Sequence, residues 1–430
     1  MPPPRIRMPT SINNGKSKPD LVDSADVPPL VEKLENRPSQ PPTAPSHQTN
    51  YAPPKRIDCL DSIRGLAALS VLLGHISGAF EWPANFAHLR NVPVLNMLFD
   101  GRSAVTMFFV LSGFVLAHPY LAPQNPEHPP RSLFIPTFYL RRVTRIWIPW
   151  FAAFIISLGA QHFFFSAPST TPGPTTWSQE FWHENMTPAN FLRQCLFSLN
   201  DARQQLLPQD WSLRVELKGS FLIPVFLFLV RRSPIGLALV GAIFLTIFPT
   251  GHYYISFILG VVASKLFWKY SSRLRFLSFR MKCFFLVGGI LMYESRLFAG
   301  YFWDVVGVVD KIVWSIASLG CVLVLAASLS SRRIETNLNA PVAALLGRIS
   351  YSVYLLQFIV ILVILPWFVH LLNEIGLTSA VWLYPLTLVL GVGITAVVSI
   401  GMYKTVEVPS IHFGRWATKQ IQSRLSRAPQ

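Results

Sequence analysis

Charge is scarce in this sequence. Only 13% of its 430 residues are Asp, Glu, Lys or Arg, where a soluble domain carries about a quarter. A chain so poor in charge, 51% hydrophobic and with a mean hydropathy of +0.40, cannot clothe a globule of its size in polar surface. That excludes the ordinary soluble classes and points to an integral membrane protein. Cysteine is scarce too. Cys59, Cys195, Cys283 and Cys321 lie scattered without ligand-like spacing, so neither a metal centre nor a disulfide framework is expected.

Acidic residues are few: 21 against 37 Lys and Arg, for a formal net charge of +16. Such a surplus often marks nucleic-acid binding. Here the basic residues cluster between apolar segments, where they set topology instead, and no nucleic-acid partner is expected. No apolar stretch precedes residue 57, so no cleavable signal peptide is expected, and the first apolar helix would serve as the targeting signal.

Apolar sequence in bilayer lengths is what the chain does have. From Ile63 onward ten segments approach the roughly twenty residues that a crossing needs: 63–81, 103–121, 146–165, 211–230, 234–250, 252–270, 283–302, 311–329, 345–369 and 382–403. The expected fold class is therefore all-α, a polytopic membrane protein with about ten transmembrane helices. Residues 1–55, rich in Pro, Ser and Asn without periodicity, read as a disordered tail. Residues 56–416 read as the membrane domain, with a long loop at 166–210, and 417–430 as a basic tail. Lys and Arg gather in alternate connections, at 131–145, 231–232, 265–282, 332–348 and the C-terminal end. This places both termini in the cytosol, with the lipid bilayer of the endoplasmic reticulum as the expected location.

Ionisable residues inside such segments are costly and mark function. In LDSIRGLAALSVLLGH (60–75) Arg64 and His75 are eleven residues apart, close to three full turns. They share a helix face about 16 Å apart along the axis. His75 falls about 18 Å into a hydrocarbon core about 30 Å thick. The fourth segment enters from the other side as WSLRVELKG and carries Glu216 about 8 Å in from Trp211. The matching depths predict that His75 and Glu216 can meet, with the carboxylate orienting the imidazole as a general base. A structural polar contact between helices is the competing reading; Arg64 on the same face favours the chemical one. Arg214 and Lys218 flank Glu216 with positive charge, which favours its carboxylate form. Arg141, Arg142 and Arg145 in YLRRVTRIWIPW form a cationic mouth suited to phosphate, although topological anchoring alone would also account for them. Glu294 and Arg296 are expected to form an ion pair, mutual or interhelical.

Six stretches in order carry a resemblance: RIDCLDSIRGLAALSVLLGH (56–75), MFFVLSGFVLA (107–117), YLRRVTRIWIPW (139–150), WSLRVELKGSFLIP (211–224), LGRISYSVYLLQ (346–357) and VEVPSIHFGRW (406–416). Together they resemble the membrane-bound acyltransferase 3 family, which acylates hydroxyl groups with acyl-CoA. The resemblance implies His75 as the base or acyl-handling residue, Arg64 facing the CoA side and Glu216 at the family's acidic position. It also implies Arg141, Arg142 and Arg145 in acyl-CoA engagement, and Ser112, Tyr351 and Tyr354 at the substrate. Two positions depart from the pattern. Gln357 stands where the family commonly has a His, and Lys218 where it often has an acidic or amide residue. The Pro-rich tail, with no fused hydrolase-like domain after the tenth segment, looks most like the filamentous-fungal members. The expected reaction is then O-acetylation from acetyl-CoA, without a metal, of a hydroxyl-bearing small molecule such as a terpenoid. A cell-wall sugar or lipid acceptor is the alternative. A proton-coupled secondary transporter is the competing class, but the two halves show no paired motif of the inverted-repeat kind. Trp177, Trp182, His183 and Glu184 in the long loop are expected to contribute to acceptor choice.

Overall fold

In a bilayer the backbone N–H and C=O groups have no partners but one another, so spanning apolar segments become helices. The computed structural model describes residues 57–83, 86, 88–122, 135–165, 172–182, 186–196, 205–301 and 306–425. Among them there is no β-strand, only an isolated bridge between Phe80 and Pro174. The expected tail at 1–55, His183, Glu184 and the last residues, 426–430, lie outside the described residues.

The long helices are α1 (Asp58–Ala79), α2 (Gly101–Ala117), α3 (Ile135–Phe164), α4 (Asp210–Arg232), α5 (Pro234–Ile247), α6 (Gly251–Arg275), α7 (Phe279–Tyr293), α8 (Gly307–Ser330), α9 (Pro341–Ile359), α10 (Ala380–Met402) and α11 (Val408–Leu425). Each of the ten expected segments falls on one of α1 to α10 and its flanks. Among the described residues, six helical runs, containing α1, α2, α3, α8, α9 and α10, are long and apolar enough to cross a membrane. Helices α4 and α6 have the length, at 23 and 25 residues, but are not among those six. Helices α5 and α7 are short, at 14 and 15 residues. The segment 283–302 does not run through as one helix: α7 stops at Tyr293, and a short helix, Ser295–Gly300, follows.

Local chemistry sets the helix ends. Asp100 caps α2 by accepting the N–H groups of Arg102 and Ser103, and Ser233 caps α5 ahead of Pro234, the preferred arrangement at a helix start. Two wider turns interrupt the helical ladder, at Val360–Ile364 and Tyr403–Glu407. Pro366 and Pro409 follow them. Each lacks the N–H that would bond four residues back, and the ladder widens to absorb the break. Most of the expected basic tail is helical, since α11 continues to Leu425.

Helix α1 packs mainly on α9 and α2, α2 on α6, α8 on α6 and α7, and α11 on α3. The α1–α9 crossing is backbone to backbone: a Cβ on Gly65 would stand 2.5 Å from the Gly347 nitrogen. Small residues permit such close approach where no hydrophobic force drives helices together in lipid. Trp150, Phe109, Phe114 and Phe257 fill the interior, while Phe228, Ile235, Leu239 and Phe284 point outward, as lipid-facing side chains do.

Candidate active site

The site follows from where α1, α2, α3, α4 and α9 converge. They enclose a cavity of about 740 Å³ that opens at the end of the bundle where α1 and α9 begin, with residues of α11 at its edge. Seven of the residues singled out in the sequence line it: Arg64, Ser112, Arg142, Arg145 and Glu216, together with Tyr351 and Tyr354.

Helix α3 starts at Ile135, well ahead of the expected segment, so the three arginines stand on a helix and not in a connection. Arg142 and Arg145, three residues apart, share the face toward the cavity. Arg141 turns away, its Nε donating to Thr418 Oγ1 on α11 at 3.2 Å. Arg142 Nη2 reaches Glu216 Oε1 at 2.5 Å and the buried Ser220 hydroxyl at 2.9 Å. Ser112 donates to the same Glu216 oxygen at 2.7 Å. Arg64 pairs with Asp61 one turn earlier, at 3.4 Å. Arg145 makes no ion pair or hydrogen bond with any described residue.

The expected meeting of His75 and Glu216 does not occur. Equal depth fixes only the coordinate along the helix axis. Helix α4 packs on α6, α2, α3 and α5, while α1 sits against α9 and α2, so the carboxylate is taken by Ser112 and Arg142. The cation at Glu216 is Arg142 and not Arg214, which pairs with Asp210 at 3.3 Å. The interhelical ion pair expected of Arg296 is made with Asp310, whereas Glu294 accepts the backbone N–H of Val94 with both oxygens at 3.1 Å.

His75 lies farther along α1, beyond the cavity wall. Its Nδ1 is 3.0 Å from Gln357 Oε1. The Gln357 amide nitrogen donates to the Tyr354 carbonyl at 3.0 Å, so its oxygen must accept, and Nδ1 carries the proton. The imidazole lone pair is thereby placed on Nε2. Trp177 stacks on the ring at 5.6 Å between centroids and Phe358 tilts against it at 4.8 Å. The loop segment that brings Trp177 there is anchored by the free carbonyls ending α1: Thr175 Oγ1 donates to Gly78 and Ser178 Oγ to Ala79, at 2.8 and 2.9 Å, satisfying groups that have no partner within the helix. Trp182, by contrast, is buried with its indole N–H on the Leu206 carbonyl.

Polar contacts link cavity and imidazole. Tyr354, on the cavity wall, shares a 2.6 Å hydrogen bond with Ser212 and passes its carbonyl to Gln357. Tyr351 donates to the Ile146 carbonyl at 2.7 Å, next to the α3 turn that holds Pro149. Sequence reasoning assigned no chemical role to Gln357, to Glu407 or to the cavity-lining Arg348, His412 and Arg415. Glu407 is buried, accepts from Ser352 at 2.8 Å and lines the cavity from the widened turn at Tyr403–Glu407. Pro409 two residues on was the one signal that could have marked that turn.

A wall of guanidinium groups can hold phosphates, and an imidazole of fixed tautomer at the far side can take a proton. No curated protein and no solved structure matches the chain. The profile of the acyltransferase 3 family, described as an acyltransferase domain, matches residues 57–404. With most of its length inside that match and its helices long and apolar enough to span a bilayer, this chain belongs to the acyltransferase 3 family and is a membrane acyltransferase.

Proposed function

We propose that the protein is an O-acetyltransferase that moves an acetyl group from acetyl-CoA to a hydroxyl of a small-molecule acceptor. A secondary metabolite such as a terpenoid is the proposed acceptor, and the endoplasmic reticulum, with both termini cytosolic, the proposed setting. The observation that carries this reading is the cavity in which Arg142 and Arg145 stand with Arg64, one α1 rise of eleven residues from His75. That rise is about 16 Å, a span that an extended pantetheine arm covers. The CoA phosphates would rest on the arginines at the cytosolic mouth, and the thioester would reach the imidazole once the cavity wall at Tyr354 gives way to the donor.

His75 Nε2 takes the proton of the acceptor hydroxyl while the hydroxyl oxygen attacks the thioester carbonyl. The ester bond forms, the carbon–sulfur bond breaks, and the CoA thiolate leaves as the thiol with the proton that His75 collected. Gln357 holds the ring in the tautomer this step needs. Glu216 acts at one remove, fixing Arg142 and Ser112. Trp177 and Phe358 border the imidazole with apolar surface, which favours an acceptor with a hydrocarbon body and limits water access to the thioester.

The test is thiol release from acetyl-CoA by purified protein in nanodiscs with a panel of alcohols. Acceptor-dependent release that His75→Ala lowers by about 10²- to 10⁴-fold while the thermal midpoint holds is the expected result. Full activity in His75→Ala would overturn the mechanism.

A further inference from the structure

The cavity is not electrically balanced by its own residues. Arg142 is matched by Glu216 and Arg64 by Asp61. Arg348 on α9 and Arg415 on α11 also line it, and neither makes an ion pair or hydrogen bond with any described residue. Both are exposed at the rim, whereas Arg142 is largely buried inside. Each of the two rim residues follows a glycine at a close helix contact. Arg348 follows Gly347, which abuts α1 beside Arg64, and Arg415 follows Gly414, where a Cβ would run into the Thr144 side chain of α3. Arg348 and Arg415, from separate helices, and His412 thus all line the same cavity.

We infer that Arg348 and Arg415 form a second anion subsite, distinct from Arg142, that binds a phosphate monoester at the outer end of the donor. This rests on the reading of acyl-CoA as donor, in which the monoester is the 3′-phosphate of the adenosine moiety. The match is one of charge and shape. A phosphate monoester carries close to two negative charges at neutral pH, and each guanidinium presents a planar fork to its oxygens. A donor that enters reactive end first leaves its nucleotide at the rim. Arg415 lies beyond the family match, which stops at residue 404, so α11 adds a donor contact outside the matched domain.

Calorimetric titration of the full chain in phosphatidylcholine nanodiscs with CoA and with 3′-dephospho-CoA tests this. Wild type should bind CoA about tenfold or more tightly than dephospho-CoA, as two charge-assisted contacts require. Arg348→Gln and Arg415→Gln should each reduce that ratio, and the double variant should bring it to about one with dephospho-CoA affinity unchanged. The unchanged dephospho-CoA affinity reports that the variants are folded. Equal affinities in wild type, or a ratio that survives the double substitution, would overturn the subsite alone. Binding of neither nucleotide would overturn the acyl-CoA reading together with it. In nanodiscs containing anionic lipid the CoA preference should persist. Its loss there would show that the rim holds a lipid phosphate and would overturn the assignment.

Discussion

Gln357 stands between His75 and Tyr354, accepting the Nδ1–H of the imidazole and donating to the backbone carbonyl, each at 3.0 Å. A side-chain amide is asymmetric, with one end donating only and the other accepting only. Once its nitrogen is committed to the carbonyl, the tautomer of His75 follows. Gln357 thus orients the proposed base, and it does so without a charge.

Substituting that amide should separate orientation from basicity. Gln357→Leu should lower kcat about 10- to 100-fold, part of what a general base supplies, with the KM for acetyl-CoA little changed. Gln357→Glu keeps an acceptor for Nδ1 and should retain clearly more activity than Gln357→Leu. Equal losses in the two variants would contradict this role.

Trp177 covers one face of the same imidazole. Aromatic pairs contribute about 0.5–1.5 kcal/mol beyond the area they bury, so Trp177→Ala should raise the acceptor KM by about two- to tenfold. The KM for acetyl-CoA, whose proposed contacts are on the opposite side, should stay within twofold or so. Parallel increases in both constants would show a general loss of structure.

Glu216 and Arg142 are both largely buried, with 15% and 12% of their side chains exposed. Removing one partner strands the other, which costs about 3–5 kcal/mol at a fully buried pair and less with partial exposure. Glu216→Ala should lower the thermal midpoint in detergent by several degrees. The double variant Glu216→Met with Arg142→Met should recover much of that loss while remaining inactive. Additive losses in the double variant would argue against the pair.

At Gly65 a methyl group would meet the Gly347 backbone at 2.5 Å, and backbone cannot move aside as a side chain can. Gly65→Ala should push α1 off α9, lowering expression, thermal midpoint and activity together. Gly393 in α10 has nothing within 4 Å of an added Cβ. Gly393→Ala should leave the midpoint unchanged or raise it, since alanine is the better helix former by about 1 kcal/mol. A benign Gly65→Ala would refute the tight crossing.

The sequence by itself determined the class of molecule. Apolar runs in bilayer lengths permit only helices where the backbone has no other partner, and helices stand where those runs are, although the one at 283–302 is broken after Tyr293. It also marked most of the cavity, because charged residues in apolar helices are costly enough to be few, and Arg64, Arg142, Arg145 and Glu216 stood out. Periodicity even predicted that Arg64 and His75 share a helix. What only the tertiary structure decided is who faces whom. Depth along an axis constrains one coordinate of three, so the predicted partner of His75 was Glu216, and the actual one is Gln357 on a helix that crosses α1 through two glycines. Arg141 and Arg142 are adjacent in sequence, yet about 100° of helical rotation sends one to Thr418 and the other to Glu216. Arg348 and Arg415 passed for topological charge because exposure to a cavity and exposure to cytosol leave the same trace in a sequence.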